Sequence, residues 1–452
     1  MNQIKKIFAA LLFLVLFASG CDDRGQRDGF LHDITIRQDS GQPEFYNQAS
    51  LSKFVHRGVN IVQHANGPRH RTFDSGFYDN DKMIADLLKL KSYGYNTVRV
   101  GINGDGPNGI TNSSSTPTSD GFSNAYILNI FQFLAELEAH DMYVIFYTDW
   151  LTGAPYGTLM LPGAPDFDDE NRFYLFEGGH AAVKLFWQNF ARRMLQSNNS
   201  RHILAYEIRN ELYYNRSSAP FDQIAGAFHR IVTTADGNTY NMRLENDRQT
   251  MMDSNMLLFI NEVKEGISEI DDEVLVSAGL LVPWQKLANP ALVTGANLLD
   301  FIDLHIYPHE HFHNFEEYVA AFGVHPQLEV PVIIGEFGAK REPFSRTAFS
   351  WQGYTAQGIF PEDYAAAAEL VEWQIEMCDY NIQGWINWSL EGADLFYSSF
   401  RNESLGDEVA ERVSPGFEDG PKFSYAGYFL SPLVRPDPCN LKTAFHPTLW
   451  NN

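Results

Sequence analysis

At 452 residues the chain can build one large domain with insertions, and its 44% apolar and 20% charged content is that of an ordinary globular protein. The formal charge of -24 excludes a nucleic-acid binder, because phosphates need Lys and Arg, and it disfavours anionic polysaccharides. Aromatic residues reach 14%, which fits a large core and equally fits stacking against the C–H faces of neutral sugars.

The first twenty residues stand apart from the rest. Lys5 and Lys6 form a basic segment, Ile7 to Phe17 an apolar one, and Ala18-Ser19-Gly20 a small-residue cleavage site that runs directly into Cys21. The arrangement resembles a bacterial lipoprotein signal, which implies a palmitate-type lipid on Cys21 and attachment to a membrane of the cell envelope. A plain secretory peptide with an incidental cysteine is the alternative. The apolar run is too short to span a bilayer comfortably. The expected organisation is a signal over 1–20, a polar tether and N-terminal cap over 21–50, and a single domain over 51–452. Cys378 and Cys439 could pair in an oxidising compartment or remain buried thiols.

From residue 56 onward, short β-branched runs alternate with longer amphipathic stretches, the pattern of βα units and a parallel sheet. Eight strands are predicted: His56–Ile61, Thr97–Ile102, Tyr143–Tyr147, Ile203–Ile208, Val274–Ala278, Phe301–Ile306, Val332–Gly335 and Gly384–Trp388. Helices are predicted over Asp81–Tyr93, with Met83, Ile84, Leu87, Leu88 and Leu90 on the inner face, and over Ala125–His140, with Leu128, Phe131, Leu134 and Leu137 inward. Others fall near Ala181–Gln196, Met256–Ile267 and Tyr364–Cys378. Eight parallel strands with intervening helices close most simply into an α/β fold of the (β/α)8 TIM-barrel type; a doubly wound open sheet is the alternative. The long connections 103–123, 151–179, 213–249, 309–329 and 338–362 would then all leave the C-terminal face, where active sites of this fold are built.

Two glutamates close strand candidates. Glu211 ends Leu204-Ala205-Tyr206-Glu207-Ile208-Arg209-Asn210-Glu211, and Glu336 ends Val330-Pro331-Val332-Ile333-Ile334-Gly335-Glu336. A carboxylate at the end of a buried apolar strand is costly unless it is paired or functional. Two at one barrel rim supply the acid and the nucleophile of glycoside hydrolysis, although two structural glutamates would satisfy the same spacing. Glu207 shares the parity of Glu211 but lies deeper, which suits an ion-pair network.

The motifs around these residues resemble glycoside hydrolase family 5, the cellulase and β-mannanase family. Asn210-Glu211 resembles its fourth-strand signature, Arg57-Gly58-Val59-Asn60 its first strand, and Thr97-Val98-Arg99 its second. His305-Ile306-Tyr307 resembles the sixth strand, Ile334-Gly335-Glu336-Phe337-Gly338 the nucleophile strand, and Trp385-Ile386-Asn387-Trp388-Ser389 the eighth. The matches run in order from residue 56 to about residue 395. The resemblance implies a retaining hydrolase, without cofactor, with Glu211 as acid/base and Glu336 as nucleophile. It further implies that Arg99 and Tyr307 keep Glu336 ionised, that Asn210 meets the sugar 2-hydroxyl, that His305 lines the same subsite, and that Trp388 is a sugar platform.

Two positions depart from the family pattern. Leu212 stands where a proline usually follows the acid/base glutamate, and Tyr147-Thr148-Asp149-Trp150 replaces a third strand that usually ends in His. Both point to a divergent subfamily. Trp150, Asp149 and Glu391 could bind sugar or serve the core and structural ion pairs instead. His305, His309, His311 and His313 lack strong ligand spacing, so no metal is expected. The expected partner is a neutral β-glycan of glucan or mannan type, met by a monomer without nucleic acid. The alternatives are an exo-acting β-glycosidase on oligosaccharides or glycoconjugates, a non-catalytic glycan-binding barrel lipoprotein, and a metal-dependent hydrolase.

Overall fold

The computed structural model describes residues 29–38, 41–62, 64, 70–92, 94–102, 109–111, 120–149, 155–160, 167, 169–224, 231–280, 289–306, 314–337, 348–351, 354–357, 380, 382–388 and 390. The chain divides into residues 1–31, of which only 29–31 are described, and a unit from His32 to Asn452. Cys21, Cys378, Cys439 and the helix expected over Tyr364–Cys378 lie outside the described residues. Among the described residues no helix is long and apolar enough to cross a membrane.

The second unit is a barrel of parallel strands: β1 (His56–Ile61), β2 (Thr97–Gly101), β3 (Tyr143–Tyr147), β4 (Ile203–Glu207), β5 (Leu275–Ser277, resuming at Gly279–Leu280), β6 (Ile302–Ile306), β7 (Val332–Phe337) and β8 (Ile382–Asn387). Each is buried along its described length, which is why the sequence reads as near-continuous apolar runs rather than alternation. The ring closes through β5. Its first half pairs with β4, Leu275 opposite Ala205, and its second half with β6, Gly279 opposite Asp303. The doubly wound sheet is thereby excluded, and the break at Ala278 is a feature the sequence reading did not anticipate.

The floor of the barrel is apolar. Ile145, Ala205, Leu275, Ile333 and Ile386 pack with Phe45 and Phe54, which come from an antiparallel three-stranded sheet over Ile34–Arg37, Glu44–Asn47 and Ser52–Lys53. His56 lies between those two phenylalanines, with ring centroids 4.2 and 5.1 Å away, and burial lowers its pKa to about 3, so it sits in the core as the neutral ring. His32 ties the segment before this sheet to the barrel, through Ile203 O at 3.0 Å and the Asp271 carboxylate at 2.9 Å.

Helices α1 (Asn80–Ser92), α2 (Asn124–His140), α3 (Glu177–Met194) and α4 (Glu245–Ser268) cover the outside. The faces expected of the first two hold in part. In α1, Met83, Leu87 and Leu90 are buried while Leu88 is 53% exposed, because 83, 87 and 90 share one stripe at 3.6 residues per turn. In α2 the inner stripe is Tyr126, Ile127, Ile130, Phe133, Leu134 and Leu137, and Leu128 is 58% exposed. A hydroxyl cap explains the start of α2, since Ser123 Oγ accepts from the Tyr126 N–H. Helix α4 begins eleven residues before its expected start at Met256, and the hairpin Ile231–Thr233/Thr239–Asn241 stands where a loop was expected.

Candidate active site

The upper barrel interior carries a polar network built around Arg99 of β2. Its Nε donates to Glu207 Oε2 at 2.8 Å, with Nη2 2.7 Å from the same oxygen in an ion pair, and its Nη1 donates to Asn60 Oδ1 at 2.9 Å and to Glu336 Oε1 at 3.0 Å. Nη2 also reaches Asn210 Oδ1 at 2.7 Å, and the guanidinium carbon lies 4.2 Å from the centroid of the Tyr147 ring. Burial opposes the charge of Arg99, but Glu207 and Glu336 beside it hold it firmly protonated. Glu207 belongs to the ion-pair network suggested by its depth.

Glu336 is the penultimate residue of β7 and is 3% exposed. Gly335 before it has a packing reason: a Cβ there would lie 2.0 Å from Asp303 Oδ1. Asn60 Nδ2 holds the Gly335 carbonyl at 2.9 Å, so the peptide leading to Glu336 is fixed from β1.

Glu211 reaches the site differently, four residues beyond the end of β4. Gly279 N–H donates to Arg209 O at 3.1 Å, and Gly279 O accepts from Leu212 N–H at 2.9 Å. A regular parallel ladder would use the N–H of residue 211, so one extra residue bulges out at Asn210-Glu211. Bulges re-aim side chains, and this one turns both residues toward the mouth. Gly279 permits it, since a Cβ there would sit 1.8 Å from Asn210 O.

His305 of β6 joins the two carboxylates. Its Nε2 lies 3.2 Å from Arg99 Nη2, which can only donate, so Nε2 is the bare nitrogen. Its Nδ1 then carries the proton and donates to Glu211 Oε1 at 2.9 Å; the same nitrogen is 3.6 Å from Glu336 Oε1. Burial lowers the His305 pKa to about 4, so the ring is neutral near pH 7. One ligand atom from each of Glu211, His305 and Glu336 lies within 4.8 Å of the others. That spacing would admit a small cation, but Arg99 stands 3.0 Å from Glu336 and already supplies positive charge there.

The other expected site residues fall into two groups. Asp149 is half-buried just past β3, where burial pushes its carboxyl up to about 7 against the opposing pull of Arg209. Trp388 is half-buried just past β8, and its backbone N–H donates to Phe337 O at 3.0 Å. Asn210 spends its side-chain oxygen on Arg99, which leaves its amide nitrogen as the group free to meet a hydroxyl. Tyr307, Trp150 and Glu391 lie outside the described residues, as do His309, His311 and His313.

Three residues escaped the sequence reading. His70 has a left-handed backbone (φ 58°), with Nδ1 3.1 Å from the Tyr147 hydroxyl and its ring 6.0 Å from that of Trp388. No sequence pattern marks it, because His70 belongs to no strand or helix. Tyr147, the last residue of β3, is the platform beneath Arg99. Asp303 lies two residues before His305, and strand alternation could have shown that both point inward.

No family model matches the chain, and no curated protein matches it in sequence. Solved structures do match. An endo-1,4-β-mannanase from Rhizomucor miehei superposes with a TM-score of 0.52 at 16% identity, covering 81% of this chain and 93% of that one. A glycoside hydrolase family 5 mannosidase from the same organism superposes with a TM-score of 0.50 at 16% identity, covering 80% and 86%. At such identities the likeness is one of fold: the chain shares the (β/α)8 barrel of these enzymes.

Proposed function

We propose that the chain is a retaining glycoside hydrolase acting on a neutral β-glycan of glucan or mannan type. The observation that carries this reading is the Glu211–His305–Glu336 cluster, whose facing atoms fall within 4.8 Å at the open end of the barrel. Carboxyl groups about 5–5.5 Å apart suit direct attack by one of them, whereas about 6.5–9.5 Å leaves room for an intervening water. In the first step Glu336 attacks the anomeric carbon, the glycosidic C–O bond breaks, and Glu211 gives its proton to the departing oxygen. In the second, Glu211 takes a proton from water, which attacks the anomeric carbon and releases the Glu336 carboxylate.

The remaining groups have parts consistent with this reading. Arg99, at 3.0 Å, favours the ionised form of Glu336 that attack requires. Asn210 offers its amide nitrogen to the 2-hydroxyl, and Trp388 and His70 form one wall of the glycone subsite. Endo action on a polysaccharide is the first form of this reading and exo action on oligosaccharides the second. The neighbours named above include an endo-1,4-β-mannanase and a mannosidase. A lipid on Cys21 would hold the barrel at a bacterial envelope surface, where such glycans are met.

The test is product stereochemistry. β-Mannan, β-glucans and aryl β-glycosides are incubated with the protein and the first-formed sugar is followed by proton NMR. The β-anomer should appear first and then mutarotate; initial release of the α-anomer, or no turnover of any of these substrates, would overturn the reading.

A further inference from the structure

Beneath the site lies a carboxyl group that the mechanism above does not use. Asp303, the second residue of β6, is fully buried, and neither of its oxygens accepts a hydrogen bond from a donor among the described residues. Glu207 of β4 is equally buried. Its Oε2 accepts from Arg99 Nε and lies 2.7 Å from Nη2, while its Oε1 has no donor among the described residues. The two side chains are within hydrogen-bond reach of each other. Asp303 also fills the space that a side chain at Gly335 would need, directly below the Glu336 peptide.

The charges around this pair do not balance if every acid is ionised. Facing it are Arg99 from β2, Glu336 from β7, the neutral His305 from β6 and the Tyr147 hydroxyl from β3, with the uncharged Asn60 from β1. One guanidinium then stands against three carboxyls. Two carboxylates in contact in a dry interior cannot both ionise, and a carboxyl–carboxyl hydrogen bond requires one proton.

We propose that Asp303 is a positioning residue: it stays protonated and donates a hydrogen bond to Glu207 Oε1, which fixes Glu207 and Arg99 beneath Glu336. Its effect on catalysis rests on the reading of Glu336 as nucleophile; the proton itself does not. Without that donor, Glu207 would compete harder for Arg99, and the Arg99 contact to Glu336 would slacken. Burial and the neighbouring Glu207 both push the Asp303 carboxyl upward, in agreement with this arrangement.

The direct test is infrared spectroscopy of the full chain without substrate, at about pH 9, where Asp149, at about 7, is ionised. The wild type should show a protonated-carboxyl band that shifts when aspartate carries a 13C label and that disappears in Asp303→Asn. The label alone decides should that variant fail to fold. A spectrum with no aspartate-labelled protonated band would overturn the proposal. In kinetics, Asp303→Asn keeps a neutral donor and should retain activity within about 10-fold, with the acid limb of kcat/KM unmoved. Asp303→Leu should lose roughly 10²-fold in kcat with KM little changed, and its acid limb should move to higher pH. Equal impairment of Asn and Leu, with neither limb shifted, would contradict the positioning role. A band that behaves as stated in a protein that hydrolyses no glycan would sink the hydrolase reading and leave the proton in place.

Discussion

Replacing Glu336 with Ala is expected to lower kcat by roughly 10⁴-fold or more on every substrate, whatever its leaving group. The loss is uniform because the variant lacks the group that forms the first new bond at the anomeric carbon, so no acid catalysis can compensate. KM should change far less, since Asn210, His70 and Trp388 are untouched. The substitution also takes from Arg99 the acceptor it meets at 3.0 Å, so a melting curve should accompany the kinetics. Glu336→Gln separates the two effects, because the amide oxygen still accepts from Arg99 while the nucleophile is gone. A small anion such as azide, soaked into the space that Ala leaves, should restore turnover of an aryl β-glycoside and release the α-azide, since one displacement replaces two. Activity of Glu336→Ala within 10-fold of wild type would remove this residue from the mechanism.

The second large effect belongs to Glu211, and it should depend on the substrate. Glu211→Ala is expected to reduce turnover of natural glycans by roughly 10²- to 10⁴-fold, the usual worth of a positioned acid. With an activated aryl glycoside, whose leaving group needs no proton, the first step should proceed almost normally. The second step still lacks its base, so the glycosyl-enzyme should accumulate and KM should fall. The alkaline limb of the pH profile, where the acid loses its proton, should vanish in the variant. The neutral His305 ring donates to Glu211 Oε1 at 2.9 Å, so Glu211 is oriented by a partner that carries no charge near pH 7. Equal losses on good and poor leaving groups would assign Glu211 a structural part only.

How much of this was legible beforehand follows from what each feature depends on. The strands were, because a parallel barrel strand is covered on both faces and Val332-Ile333-Ile334 or Tyr143 to Tyr147 can hardly be anything else. The two glutamates were, because a carboxylate closing such a run has to be explained. Helix faces were less so. A stripe through Leu128 and a stripe through Ile127 score alike on apolar content, and only the position of the barrel surface decides between them. The early start of α4 was hidden for a similar reason: Arg248 and Asn255 are polar, yet both are buried by their partners Met242 O, Thr234 and Met251 O.

By itself, the order of residues determined the alternation of strands and helices, the chemical types delivered to the strand ends, and the depth of Glu207 below Glu211. Ring closure through the broken β5, the bulge that turns Asn210 and Glu211 to the mouth, the meeting of His70 with Tyr147 and Trp388, and the meeting of Asp303 with Glu207 were decided only in the tertiary structure. Each of these depends on the register between strands far apart in the chain. Periodicity along one segment carries no information about register, whereas hydrogen bonds between segments impose it.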